Sequence, residues 1–286
     1  MAKKSDSMNI LGIDFEDWYH PQIIQKYLDG KKKYPRVIDG LDKVLDLLRV
    51  TNTFATFFTV GELVEFRPEI IDKIIGAGHE IGFHTMHHTR LDSPNYKQIF
   101  DAEIKQFKKL TDGRSKGFRA PTFSLNYDTS WAIDTLVQNG YVYDSSIMPV
   151  KTSMYGISGA ERNPYKISSN SIDKNDPDGN LLEFPLLVTK FFGKTIPAAG
   201  GFYLRTLPMR ITTNAIKNYE KLGIPATFYI HSWELTPEFM PKISMPFKDN
   251  FITFHNINKT FSRMSTLLKN FTFTSFGRYM EKMSAI

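Results

Sequence analysis

The stretch that decides the fold is HEIGFHTMHHTR, residues 79–90. Its EIGF segment is a short apolar run suited to a buried strand, and His84, His87 and His88 follow directly behind it. One histidine by itself says little, because imidazole serves many structural roles. Spacing says more. If the chain turns helically after Phe83, His84 and His88 stand at i and i+4 on one face, within reach of a shared metal, while His87 points elsewhere. Such a pair needs a third, anionic ligand to make a metal centre.

Working outward, six more runs read as strands: MNILGIDF (8–15), TFATFFTV (53–60), KGFRA (116–120), YVYDS (141–145), LLEFPLL (181–187) and PATFYIH (225–231). Helical patterns lie between them. RVIDGLDKVLDLLRV repeats apolar residues at three and four, and RPEIIDKIIGAG has Pro68 near its start. NYKQIFDAEIKQFKKL carries Ile99, Phe100, Ile104 and Phe107 on one stripe, and SWAIDTLVQNG closes on Asn139-Gly140. Strand alternating with helix predicts a parallel α/β structure, and about seven such units predict a barrel in a single domain over 1–286. The stretch 151–180, rich in Ser, Asn, Gly and Pro, breaks the rhythm and is expected to be a loop insertion over one face.

In a parallel α/β barrel the reactive groups gather at the carboxyl ends of the strands. Here the runs end in DFED, HTMHH, RAP, DSS and HSWE. DFED supplies Asp14, Glu16 and Asp17, three carboxylates in four residues. Period-two geometry puts Asp14 and Glu16 on one face; Asp17 joins them only if the strand ends there. The chain has no cysteine, so any metal rests on His and carboxylate. A carboxylate with two imidazoles leaves positions open for water and substrate, and accepts Zn, Co, Ni or Mn.

Composition excludes other classes. The hydrophobic fraction of 41% and charged fraction of 23% are those of a globular chain, not a disordered one. The formal charge of +6 is spread along the sequence without a nucleic-acid motif. The basic start MAKKSDSMNILGIDFEDW lacks an apolar leader region, and no apolar run of membrane-spanning length occurs. The expectation is a cytoplasmic protein without a signal peptide, with peripheral contact at the inner membrane face allowed.

Taken in order, DFEDW, HTMHH, FRAP, YDSS and IHSWE resemble the polysaccharide deacetylase family, the NodB-like carbohydrate esterases of family four. LLEFP and GGFYLR resemble a branch near the Helicobacter-type peptidoglycan deacetylases and the allantoinase-like members. The resemblance runs from Asn9 to about Phe276. It implies a deformed (β/α)7 barrel of the NodB type that removes N-acetyl groups from amino sugars with one divalent metal, commonly zinc. It implies His84 and His88 as ligands, with an aspartate after the first strand as the third. Laid on the family's Thr-Phe-Asp-Asp-Gly pattern, Glu16 becomes the base and Asp17 the ligand; laid on the Asp-x-Asp pattern of related branches, Asp14 becomes the base and Glu16 the ligand. The assignment adopted is Asp17 for the metal and Asp14 for the base, with Glu16 in the catalytic set.

The same resemblance implies that Arg119 holds the base ionised and that the Thr122 backbone N–H faces the oxyanion. His231 protonates the departing amine, held charged by Asp144. Trp18 and Trp233 are candidates for stacking on a sugar, and Gly200, Gly201 and Tyr203 for lining the site. The implied partner is an N-acetylated glycan or a lipid-linked sugar precursor, with no nucleic acid. Rival readings are an allantoinase-like hydrolase of a small non-sugar amide and an inactive carbohydrate-binding barrel.

Overall fold

A computed structural model describes residues 7–28 and 33–284. The start of the basic N-terminal segment, residues 1–6, lies outside the described residues. Eleven strands are described: β1 (Met8–Phe15), β2 (Thr56–Thr59), β3 (Glu80–Phe83), β4 (Gly117–Phe118), β5 (Tyr143–Asp144), β6 (Tyr165–Ile167), β7 (Leu181–Glu183), β8 (Val188–Phe191), β9 (Lys194–Pro197), β10 (Thr227–His231) and β11 (Thr272–Thr274). The main sheet runs β10-β1-β2-β3-β4-β5-β7-β6, with β11 also on β1. Its seven parallel strands β10, β1, β2, β3, β4, β5 and β7 are the seven runs predicted above. The sheet curls until its ends meet: Leu186, just beyond β7, bridges Thr227 in β10, and the Leu187 N–H donates to the Thr227 carbonyl at 3.0 Å. A single bridge instead of a full ladder closes the seven-stranded barrel, which is therefore deformed.

Alternation along β1 sorts the core. Leu11, Ile13 and Phe15 face outward into the large apolar layer beneath the helices. Ile10 faces inward, where Phe58, Tyr143, Phe184 and Phe276 plug the barrel. Both faces of the strand are buried, so it reads as a nearly continuous apolar run. The helix Tyr96–Leu110 packs Phe100, Ile104 and Phe107 against β3 and β4, with Phe107 at 4.6 Å from the Phe83 ring and Phe100 at 5.5 Å from Phe118. Each of these fully buried side chains contributes about 1.5–3 kcal/mol of transfer free energy. Ile99, expected on that stripe, is instead 50% exposed. It sits about 100° around the helix from Phe100, and Glu103 takes the inward place, accepting from the Met86 N–H and the Tyr96 hydroxyl.

The stretch 151–180 is not loop throughout. It contributes β6, antiparallel to β7, with Tyr165 and Ile167 buried and Lys166 exposed. Three residues among turn formers carry too little pattern to be read as a strand. Upstream, Thr152 to Tyr155 form part of the wall over the catalytic end of the barrel.

Candidate active site

At the carboxyl ends of the strands, Glu16, His84 and His88 each offer a ligand atom, all within 4.8 Å of one another and all buried. The helical turn expected after Phe83 does not form. Thr85 and His88 take left-handed backbone (φ 59° and 55°), so a tight loop folds the two rings together with centroids 4.9 Å apart. Backbone bonds anchor that loop, from the Gly61 N–H to the Thr85 carbonyl and from the Glu62 N–H to the Met86 carbonyl. His84 Nδ1 donates to the Arg119 carbonyl at 2.7 Å, which fixes the tautomer and turns Nε2 toward Glu16, 3.7 Å away. His88 Nε2 lies 2.5 Å from Glu16 Oε2. Glu16 Oε2 is buried with no partner other than these two imidazoles. A desolvated carboxylate oxygen facing two imidazole nitrogens is a donor set that fits a divalent cation. Burial alone would raise the Glu16 pKa, but His88, His231 and hydrogen bonds from His84 and His88 hold it well below the usual carboxylate range.

Asp17 is the first correction. Its carboxylate turns away from the histidines, with Oδ1 accepting from the Trp18 N–H (2.7 Å) and Oδ2 from the Arg36 (2.5 Å) and Val37 (2.9 Å) N–H groups. Burial raises its pKa to about 6 despite those donors. The inward alternation Gly12, Asp14, Glu16 continues past the end of β1, which leaves Asp17 on the opposite side, pinning the chain segment around Arg36.

Asp14 sits one step inside Glu16. Arg119, fully buried, donates to Asp14 Oδ1 at 2.6 Å, to the Ser145 carbonyl through Nε and to Ser145 Oγ through Nη2. Its guanidinium lies 4.2 Å from the Phe58 ring centroid, on the apolar plug of the barrel. Gly12 makes room for it, since a Cβ there would lie 2.6 Å from Arg119 Nη1.

On the far side stands His231, register partner of Asp14, with Nε2 3.9 Å from Asp14 Oδ2 and 3.8 Å from Glu16 Oε1. Asp144 is the second correction, because it does not touch His231. It bonds Ser146 Oγ at 2.6 Å and forms a buried acid pair with Glu183. His231 Nδ1 instead meets Glu234 Oε2 at 2.9 Å, and Glu234 Oε1 accepts from Arg205 Nε (3.1 Å) and Nη2 (2.9 Å). Burial pulls the His231 pKa down, but Glu16, Glu234 and Asp14 outweigh it and push it up to about 9. Glu234 was within the quoted IHSWE, three residues beyond His231; Arg205, in GGFYLR, gave no signal of this contact. Gly201 has a reason too, as a Cβ there would lie 1.7 Å from Glu234 Oε2.

Trp233 stacks on His231 and donates to Glu16 Oε1 at 3.1 Å, while Trp18 packs away from the cavity against Tyr19. Thr122 and Tyr203 line the cavity. His87 stays outside the cluster, exposed and paired with Glu62. The cavity over the cluster holds about 290 Å³, with Phe123, Tyr155, Phe202 and Trp233 among its apolar walls.

Residues 29–143 match the family described as polysaccharide deacetylase. Over those residues the chain is similar to the polysaccharide deacetylase family. Residues 145–281 match a domain of unknown function, DUF3473, and the barrel takes strands from both matched ranges. Among curated relatives, the chain is 32% identical over 121 residues to the peptidoglycan deacetylase-like protein FGM2 of Gibberella zeae (41% of this chain, 35% of that protein). It is 30% identical over 112 residues to the peptidoglycan deacetylase of Helicobacter pylori (38% and 37%). These matches span little more than a third of the relatives' length. Among solved structures, a polysaccharide deacetylase-type protein of Mycobacterium smegmatis superposes with a TM-score of 0.64 at 15% identity, covering 100% of this chain and 93% of that one. Puue allantoinase superposes at 0.58 and 13% identity, covering 100% and 92%. Both likenesses concern the fold alone. None of the described helices is long and apolar enough to cross a membrane.

Proposed function

We propose that the protein is a metal-dependent amide hydrolase that removes N-acetyl groups from amino sugars, either in a glycan or in its lipid-linked precursor. One arrangement carries this reading: a buried Glu16–His84–His88 donor set flanked by the Asp14–Arg119 pair and by His231, whose Nδ1 is held by Glu234. The family and the peptidoglycan deacetylase relatives support the same chemistry. A divalent cation, zinc in the first instance, held by Glu16, His84 and His88 supplies Lewis acidity toward the acetamide oxygen and the attacking water. Asp14 Oδ2 faces the cavity and accepts the proton from that water. Arg119 fixes Asp14 through a charge-assisted hydrogen bond to Oδ1. His231 Nε2 passes its proton to the sugar nitrogen as the C–N bond breaks, releasing acetate and a free amine. Glu234, itself fixed by Arg205, orients His231 and favours its protonated form. Thr122 offers its backbone N–H to the oxyanion, an effect on the order of 3 kcal/mol.

The test is acetate release from N-acetylated oligosaccharides, peptidoglycan fragments and lipid-linked N-acetyl sugars, with and without chelator. Release that stops with chelator and returns with Zn²⁺ supports the reading. Chelator-insensitive release, or none from any substrate by the metal-loaded protein, overturns it.

A further inference from the structure

The hairpin of β8 and β9 stands outside the barrel sheet, its two strands paired with each other. Its sequence is VTKFFGKTIP, residues 188–197. The strands pair Phe191 with Lys194, leaving Phe192 and Gly193 as a two-residue turn, both with positive φ (46° and 77°). That turn type favours Asn-Gly or Gly-Gly, and a bulky aromatic in left-handed backbone is strained there. The strained residue is also 90% exposed and packs edge-on against Phe191, itself 38% exposed. Neither burial nor turn geometry accounts for an aromatic at Phe192. Lys190 and Lys194, both exposed, flank the pair, and the hairpin contains no acid.

Its position matters as well. The hairpin follows β7, its base held at Leu187 by the Thr227 carbonyl of β10, and the chain beyond it runs into the segment whose Phe202 and Tyr203 line the cavity.

We infer that this hairpin is a membrane-docking element, which inserts Phe191 and Phe192 into the interface of an anionic phospholipid bilayer while Lys190 and Lys194 engage the headgroups. Two rings at a turn tip cannot supply the roughly 800 Å² per partner of a stable protein interface. They do suit shallow insertion of about 5–10 Å into a bilayer surface, backed by electrostatic attraction to anionic lipid. The net charge of +6 adds to that attraction. The inference does not depend on the chemistry at Glu16, His84 and His88, because its test contains no substrate.

The test is co-sedimentation with vesicles of phosphatidylcholine alone and mixed with phosphatidylglycerol. The wild-type protein is expected to bind the mixed vesicles, less at high salt. Phe192→Asn should weaken binding about tenfold or more, from the apolar burial lost. Lys190→Gln and Lys194→Gln should each weaken it about fivefold. Asn accepts left-handed backbone better than Phe, so Phe192→Asn should keep or raise the melting temperature, and lost binding cannot then be ascribed to unfolding. A wild-type protein that binds neither vesicle, or variants that bind as well as wild type, would overturn the inference. So would self-association by size exclusion that Phe192→Asn abolishes while vesicle binding persists unchanged, since the tip would then serve a second copy of the chain.

Discussion

Two buried arginine–carboxylate pairs flank Glu16, and they are not equivalent. Arg119 meets Asp14 through one nitrogen and spends its others on Ser145, so Asp14 Oδ2 stays open toward the cavity. Arg205 grips one oxygen of Glu234 with two nitrogens, and the other oxygen is taken by His231 Nδ1. A carboxylate with a free oxygen beside the reacting atoms can take up a proton. One with both oxygens engaged can only hold and charge its neighbour. The chemical identity of the groups is the same in both pairs; what separates base from orienting residue in the proposed mechanism is which oxygen remains uncommitted.

The comparison breaks most visibly at Asp14. Asp14→Asn keeps an oxygen for Arg119 but cannot accept a proton, so acetate release should fall by about 10²–10⁴-fold with metal content unchanged. A loss of metal in parallel with activity would show that Asp14 is a ligand and not a base.

Glu234→Gln should have the smaller effect, about tenfold above neutral pH, because the amide can still accept from His231 Nδ1 but no longer opposes its deprotonation. Glu234 is one of the anions that raise the His231 pKa, through both its hydrogen bond and its charge. Removing one of the anions that raise it moves the alkaline limb of the pH–rate curve to lower pH. An unmoved limb would mean that Glu234 positions the ring without charging it.

A third acid site, remote from the chemistry, sharpens the contrast. Burial raises the pKa of Asp144, and burial together with the neighbouring Asp144 charge raises that of Glu183 well above the ordinary range. A carboxyl whose folded pKa exceeds its unfolded value stabilises the fold below the unfolded pKa and loses that stability as pH rises through the folded one. Glu183→Gln preserves an acceptor for the Ile147 N–H and a donor for Asp144. Its melting temperature should match wild type near pH 4 and exceed it at mildly alkaline pH, with turnover little changed. Parallel pH–stability curves for the two proteins would contradict this.

The seven strand runs and the placement of Asp14, Glu16, His84, His88, Arg119 and His231 at one end of the barrel were legible because alternation and motif order are local properties of the chain. Asp17 was misread although period two already favoured Asp14 with Glu16, because whether a strand continues for one more residue depends on tertiary partners, here the Arg36 and Val37 N–H groups. Asp144 was misread for a related reason. Its place at the end of β5 fits a partner for His231, yet β7 brings Glu183 beside it and satisfies it within the core. Glu234 lay close enough in sequence to be found by its i, i+3 spacing from His231 on a short helical turn. Arg205 did not: it lies 29 residues from Glu234, and their contact is made only by the closed barrel. The convergence of His84 and His88 was anticipated on a helical turn but arises from two left-handed residues that no spacing rule reveals.

The most direct measurement is metal content, by inductively coupled plasma mass spectrometry, of Glu16→Gln and Asp17→Asn prepared side by side with wild type. Glu16, His84 and His88 as the ligand set predict about one equivalent of divalent metal in wild type and in Asp17→Asn, with little retained in Glu16→Gln. Metal kept by Glu16→Gln and lost by Asp17→Asn would contradict the account.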